Sequence, residues 1–169
     1  MNTKAVKNVV ILGGGTAGWI TASVLVKILG KVINITLVES DDIGIVGVGE
    51  ATIPPIINFN AALGLDEKAF IRETQGSIKL GIQFENWGKP GDSYMHAFGS
   101  IGKEFPFCNF HHFWLKSKQL GMGFDFWDFS LAYQAARQNH FAKLARIEGV
   151  NLPGLSYAYH FDAGLYAQF

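Results

Sequence analysis

The sequence has one cysteine, no excess charge of either sign and no long apolar run. Cys108 alone excludes an intrachain disulfide framework and a multi-cysteine metal site, and it favours a reducing, cytoplasmic location. Fourteen basic residues balance fourteen acidic ones, so the charge gives no reason to expect nucleic acid or a charged membrane surface as a partner. The N-terminal apolar run, residues 9–12, is too short for a signal peptide or a membrane span. Small molecules are therefore the expected partners.

The chain is rich in apolar and aromatic residues. Its 169 residues are 49% hydrophobic, which is enough for a packed core in a chain the size of one domain. It contains 14 Phe, 5 Tyr and 4 Trp, and these crowd between Tyr94 and Phe141. This crowding indicates either a large core or a pocket for a flat, apolar ligand.

A glycine cluster lies between an apolar run and a segment with helical spacing. Residues 9–12 predict a strand, and Gly30 could end the helix that follows. Gly13, Gly15 and Gly18 fit G-x-G-x-x-G in the strand, turn and helix context that a dinucleotide site requires. The first glycine permits a tight turn, the second lets the backbone approach a pyrophosphate, and the third brings helix and strand together. The helix N-terminus favours phosphates.

A second strand, Ile33–Val38, ends in Glu39, about 20 residues beyond the glycines, where an acid can bind the adenosine ribose. No G-K-[ST] string follows the glycines, which excludes a P-loop. The next stretch, DDIGIVGVGEATIPP, predicts a loop that either lies along a cofactor or simply connects to a helix starting at Pro54 and Pro55. The pattern predicts a dinucleotide site and leaves NAD and FAD both open.

The stretch GSIKLGIQFENWG, residues 76–88, alternates apolar and polar residues and predicts one β-strand. Lys79 falls on its polar face, where a lysine is usually solvated and inert, so a chemical role is the rarer reading. The turn at residues 89–92 returns the chain as a second strand of a hairpin. His96 and Phe98 then share one face of the strand beside the lysine, for packing or for an aromatic ligand.

Three further helices are predicted from local signals. Asp66 is an N-cap for the helix over EKAFIRE. Residues 110–115 supply the apolar face of a helix that Gly121 ends. Asp162 can cap a helix beginning at Ala163.

Several strings taken together resemble the flavin-dependent tryptophan halogenases and their indole-halogenating relatives. In chain order they are GGGTAGW, GVGEATIP, GSIKLGIQFENWG, PGDSYMHAFG, FHHFWL and YHFDA. Each string is weak alone, but their order and spacing are specific, and the resemblance covers nearly the whole chain. It implies an α/β fold: a Rossmann-like FAD-binding domain of the flavin monooxygenase type, with an attached antiparallel hairpin and a helical segment.

The resemblance also implies a reaction. Reduced FAD from a separate flavin reductase, oxygen and chloride or bromide would give hypohalous acid, which Lys79 directs onto an indole or tryptophan carbon. The lysine would donate a hydrogen bond to the acid or carry the halogen as a haloamine, and enclosure would lower its pKa from about 10.4. His96 and Phe98 would sandwich the substrate. The implied cofactor-binding residues are Gly13, Gly14, Gly15, Thr16, Ala17, Gly18, Glu39, Val48, Gly49, Glu50 and Ala51.

Members of that family are several times longer than this chain. We therefore expect residues 1–169 to be the N-terminal part of an FAD-binding halogenase domain, an incomplete fold whose remainder lies outside this chain. Two alternatives remain open. One is a flavin monooxygenase that hydroxylates an aromatic substrate, and the other is a non-catalytic FAD-binding fragment.

Overall fold

The computed structural model describes residues 5–43, 49–143, 149 and 153–169. These residues form strands, α-helices and one short 3₁₀ helix. In chain order they are β1 (Asn8–Leu12), α1 (Thr16–Leu29), β2 (Asn34–Val38), β3 (Gly49–Ala51), α2 (Pro55–Leu63), α3 (Glu67–Glu73), β4 (Ser77–Lys79), β5 (Gly81–Glu85), β6 (Ser93–Ala97), α4 (Phe110–Gln119), the 3₁₀ helix (Phe126–Phe129), α5 (Leu131–Arg137), β7 (Ala158–Asp162) and α6 (Ala163–Gln168). The chain divides into two compact units. The first runs to Ser77 and includes Tyr159–Phe169, and the second is Ile78–Ala158.

The first unit opens with the predicted β-α-β segment. Strands β1 and β2 are parallel, in register from Asn8 opposite Asn34 to Leu12 opposite Val38. Helix α1 connects them and contacts both. It ends at Gly30, as predicted, with the Gly30 N–H donating to the Val26 carbonyl over 2.9 Å. The Rossmann-like start of the α/β fold is thus confirmed.

A second sheet in the chain has the order β3-β7-β4. Strand β3 pairs antiparallel with β7, from Gly49 opposite Asp162 to Ala51 opposite His160. The prediction of a loop through Gly49–Ala51 is therefore wrong. The reason is non-local, because β7 comes more than a hundred residues later. Next to the ladder, the Thr52 hydroxyl donates to the Tyr159 carbonyl over 2.8 Å.

Aromatic rings form the core of the first unit. Phe70 on α3 is completely buried, and its ring contacts those of Tyr159, Phe161 and Tyr166 at centroid distances of 4.9, 5.3 and 5.5 Å. Tilted and edge-on ring pairs of this kind stabilise a core beyond their area burial. The cluster joins α3 to β7 and α6.

The helix boundaries follow the predicted local signals. Asp66 accepts from the Ala69 N–H and Asp162 from the Leu165 N–H, each over 2.8 Å, so both predicted N-caps are confirmed. Helix α2 begins at the predicted prolines. It ends at Gly64, whose φ of +85° is a left-handed conformation that suits glycine.

The second unit contains the predicted hairpin. Strands β5 and β6 are antiparallel, from Gly81 opposite Ala97 to Glu85 opposite Ser93. At the turn the Asp92 N–H donates to the Lys89 carbonyl over 3.1 Å, and Gly91 has a φ of +91°. Such a turn requires positive φ at its third position, which is why glycine follows proline here. Helix α5 contacts both strands.

The prediction of a single strand through residues 76–88 is wrong. The segment is two strands, β4 and β5, interrupted at Leu80. Strand β4 belongs to the sheet of β3 and β7, whereas β5 pairs with β6. The chain changes sheets at Leu80, so strict alternation fails and the consecutive residues Lys79 and Leu80 are both buried.

The aromatic-rich segment differs partly from expectation. Helix α4 ends before Gly121, which has the left-handed φ of +77°. The predicted apolar face is not a buried one, since Phe113 and Leu115 are nearly half exposed. Phe110 and Trp114 pack on the Phe126 ring at centroid distances of 6.2 and 5.2 Å, and the half-exposed Phe113 contacts the Phe105 ring at 5.2 Å. In the described parts of the chain, no helix is both long enough and apolar enough to cross a membrane.

Candidate functional site

The glycine turn joins the end of β1 to the start of α1. Gly13 has a φ of +122°, and its N–H donates to the Val38 carbonyl of β2 over 2.8 Å. Only glycine adopts that conformation without strain. A Cβ on Gly18 would overlap the Gly13 carbonyl and reach 3.7 Å from Ile11 Cγ2. The two glycines therefore make the turn tight and let the helix lie directly against the strand.

Gly15 and Gly14 occupy different surroundings in the same turn. Gly15 is the N-cap of α1, and a Cβ built on it would meet no described atom within 4 Å. No side chain of the described residues caps this helix end, so its first N–H groups are available to a ligand. A Cβ on Gly14 would instead overlap the Glu39 side chain. Glu39 thus lies over the turn, as a ribose-binding acid would need to.

A cavity of about 1420 Å³ opens at this turn within the first unit. Pockets for drug-sized ligands have volumes of roughly 300–1,000 Å³, so this cavity is large enough for a longer cofactor. It brings together the predicted cofactor residues Gly13, Gly14, Gly15, Thr16 and Glu39.

The remaining predicted cofactor residues lie elsewhere. Ala17 is exposed, its carbonyl accepts from the Thr21 hydroxyl, and neither it nor Gly18 lines the cavity. Gly49, Glu50 and Ala51 form strand β3 and are likewise outside the cavity lining among the described residues. Val48 lies outside the described part of the chain.

The cavity also has walls that the sequence analysis missed. Trp19 and Lys27 of α1 line it, together with Asp41 after β2 and with Tyr166 and Phe169 from the C-terminal segment. Trp19 closes the GGGTAGW string and could have been found from that motif. Tyr166 and Phe169 carried no signal, because their approach depends on how α6 packs against α1.

The Tyr166 hydroxyl is the buried polar group of this wall. It donates to Asn60 Oδ1 over 2.8 Å. Burial raises the pKa of Tyr166 to about 12, because the phenolate is poorly solvated there. Tyr166 therefore stays neutral over the physiological range and acts as a structural hydrogen-bond donor.

Lys79 is buried, with 6% of its surface exposed, contrary to the usual solvated strand lysine. Its Nζ lies 5.6 Å from the centroid of the Phe98 ring, within cation–π distance. Desolvation by burial lowers the pKa of Lys79, which increases the share of neutral, nucleophilic amine. A buried lysine with a lowered pKa is a functional-site candidate.

The two predicted substrate residues differ in exposure. His96 lies in β6 opposite Ile82 and is exposed. Phe98 follows the end of β6 and is half-buried, and its N–H donates to the Leu80 carbonyl over 2.8 Å. The structure therefore brings Phe98 to Lys79 and leaves His96 at the surface of the unit.

Among the described residues, no group of three His, Cys, Asp or Glu side chains could hold a metal ion.

Comparison with known proteins identifies the family of the chain. The family model described as tryptophan halogenase matches residues 8–169. Tryptophan 6-halogenase SttH of Streptomyces toxytricini is 35% identical over 100% of this chain and 36% of its own length. Tryptophan 7-halogenase RebH of Lentzea aerocolonigenes is 33% identical over 97% of this chain and 33% of its own length. The chain thus spans about a third of the length of these relatives.

Solved structures give the same answer. Xcc4156, a flavin-dependent halogenase from Xanthomonas campestris, matches with a TM-score of 0.85 and 47% identity, over 98% of this chain and 32% of that chain. BrvH, a flavin-dependent halogenase from Brevundimonas sp. BAL3, matches with a TM-score of 0.85 and 40% identity, over 96% and 32%. On the family match, the relatives and these structures together, the chain belongs to the flavin-dependent tryptophan halogenase family.

Proposed function

We propose that this protein is a flavin-dependent halogenase that uses reduced FAD, oxygen and chloride or bromide to halogenate an indole or tryptophan carbon. The observation that carries the proposal is the burial of Lys79 against an aromatic ring in a chain of this family. Burying a lysine destabilises the folded state, because desolvating the charged amine is unfavourable, so a buried lysine indicates a chemical role.

The glycine turn supports a dinucleotide cofactor, and membership of a flavin-dependent family favours FAD as that dinucleotide. The space over Gly15, the uncapped first turn of α1 and the adjacent cavity fit a pyrophosphate, and Glu39 lies where it can bind the ribose. In this proposal Gly13 to Gly18, including Thr16 and Ala17, form the phosphate loop. Gly49, Glu50 and Ala51, with Val48 outside the described residues, form a strap near the flavin.

Lys79 is proposed as the group that controls the oxidised halogen. Reduced FAD with oxygen supplies the two-electron oxidation that turns a halide ion into hypohalous acid. The neutral Lys79 amine can take the halogen from that acid, forming an N–X bond and releasing water. Transfer to the indole then breaks the N–X bond, forms a C–X bond and releases the ring proton, which restores the amine. Alternatively, the Lys79 ammonium donates a hydrogen bond to the acid and orients it.

His96 and Phe98 are proposed to hold the flat substrate beside Lys79. Phe98 is the better supported of the two, because its ring contacts the amine. An aromatic wall suits an indole ring.

We also propose a separate flavin reductase as the source of reduced FAD, and a cytoplasmic location, which the single cysteine supports.

The decisive experiment compares wild type, Lys79→Ala and Lys89→Ala in the longest form of the protein that contains this chain. Each is given reduced FAD, oxygen, bromide and tryptophan or indole, while flavin oxidation is followed by absorbance and product by mass. We expect Lys79→Ala to oxidise flavin normally and to lose halogenated product by roughly a hundredfold or more. Lys89, an exposed lysine of the hairpin turn, is the matched control and should change nothing.

Other outcomes identify the alternatives. A hydroxylated product that forms without bromide would identify a flavin monooxygenase instead. FAD binding without any turnover in wild type would identify a non-catalytic FAD-binding protein. If Lys79→Ala formed as much halogenated product as wild type, the lysine would have no role in the mechanism.

A further inference from the structure

The Phe98 ring is placed by the protein before any substrate binds. Its N–H donates to the Leu80 carbonyl over 2.8 Å, and its neighbour Ala97 is almost fully buried. On its other side Gly99 has a φ of +85°, and a Cβ there would lie 3.2 Å from Ser156 Cβ. Because the backbone is fixed on both sides, the direction in which the ring leaves the chain is set by the fold.

Lys79 needs such a fixed neighbour. A lysine side chain has four carbons and many rotamers, so a strand position alone does not fix the position of its Nζ. The Phe98 ring limits those rotamers on one side. A ring face within about 6 Å also attracts the charged amine. The interruption of the strand at Leu80 makes this contact possible, because it buries Lys79 instead of leaving it at a solvated face.

We propose that Phe98 is a positioning residue for Lys79: its ring holds Nζ at the point from which the halogen reaches the substrate. This inference rests on the halogenase function proposed above. A substrate wall would act on the binding of indole. The positioning role proposed here acts instead on the transfer of the halogen from hypohalous acid once the substrate has bound. A reacting group misplaced by about 1 Å can lose much of its rate. A loosely held amine would therefore let hypohalous acid escape into solution.

The test uses Phe98→Leu, which keeps apolar volume and removes the ring, and Phe98→Tyr, which restores the ring. Phe84→Leu is the matched control, since Phe84 lies on the adjacent strand and its ring stacks on Tyr94, 5.0 Å away. The measurements are halogenated product per flavin oxidised at saturating indole, and free hypohalous acid captured by a scavenger.

We expect Phe98→Leu to lower the product yield per flavin by roughly tenfold and to raise captured hypohalous acid correspondingly. Phe98→Tyr should restore the yield, and Phe84→Leu should match wild type. If Phe98→Leu does not fold, Phe98→Met, which also lacks the ring, must show the same loss.

Two results would separate this inference from the proposed function. A Phe98→Leu protein with a raised KM but a normal yield at saturating indole would show a substrate wall only and would overturn the inference. An unchanged yield in Lys79→Ala, measured in parallel, would instead overturn the role of the lysine itself, and with it both proposals.

Discussion

The glycine turn and the Lys79 segment differ in where their decisive contacts come from. The turn is built from residues of one β-α-β segment: Gly13 contacts Val38, Gly18 contacts Gly13, and Glu39 lies over Gly14. The last residue of β4 is Lys79, whereas the ring that its Nζ contacts, Phe98, directly follows β6, a strand of a different sheet. A local glycine pattern therefore described the first region well, whereas local alternation misdescribed the second.

The largest effect that would sharpen this comparison is at Gly18. A Val side chain there would overlap the Gly13 carbonyl, which is backbone and has little freedom to move. We expect Gly18→Val to lower the free energy of unfolding by about 3 kcal/mol or more, measured by urea unfolding. FAD binding, followed by flavin fluorescence, should be lost with it.

Gly15→Val is the matched control for that substitution. Its Cβ would meet no described atom within 4 Å, so we expect its free energy of unfolding to stay within about 1 kcal/mol of wild type. Its affinity for FAD should nevertheless fall, since the new side chain occupies the proposed pyrophosphate space. Equal loss of stability in both variants would contradict the distinction between a packing glycine and a cofactor glycine.

The corresponding test of the second region is Gly81→Ala. The added Cβ would lie 2.7 Å from the His96 carbonyl oxygen and 2.8 Å from Ala97 Cα, so the two hairpin strands would have to separate. We expect a loss of about 2 kcal/mol in urea unfolding. Gly123→Ala, in the same unit with no described atom within 4 Å of the added Cβ, should stay within about 0.5 kcal/mol. A neutral Gly81→Ala would mean that the hairpin does not hold this spacing.

The smallest effect concerns Tyr166 in the cavity wall. Burial raises the pKa of Tyr166 to about 12, above the usual tyrosine value of about 10, so the unfolded chain loses the phenol proton first as pH rises. The stability that comes from the buried, protonated Tyr166 phenol is therefore complete below about pH 10 and is lost as pH rises through about 12. Tyr166→Phe should reduce the alkaline loss of stability and, at neutral pH, cost about 1 kcal/mol through the missing hydrogen bond to Asn60.

The control for that pH profile is Tyr94→Phe, an exposed tyrosine of the hairpin. Its curve of unfolding midpoint against pH, followed by circular dichroism, should match that of wild type. An unchanged curve for Tyr166→Phe would contradict the buried hydroxyl described here.

The sequence predicted more of the fold than of the site. It predicted the β-α-β start, the hairpin and its turn, and the caps at Asp66 and Asp162, because each is encoded within a few residues of chain. It did not predict β3, the interruption at Leu80 or the role of α6 in the cavity wall. Each of these depends on an element far away in the sequence.

The chemistry divides in the same way. By itself, the sequence determined the glycine turn, the acid after β2 and the family, because these are strings with fixed spacing. Only the tertiary structure decided that Lys79 is buried and lies against Phe98. Its burial depends on the change of sheet at Leu80, where the chain leaves β4 of one sheet and enters β5 of another. Turn geometry is set by backbone sterics at single residues, whereas desolvation is set by everything packed around a side chain.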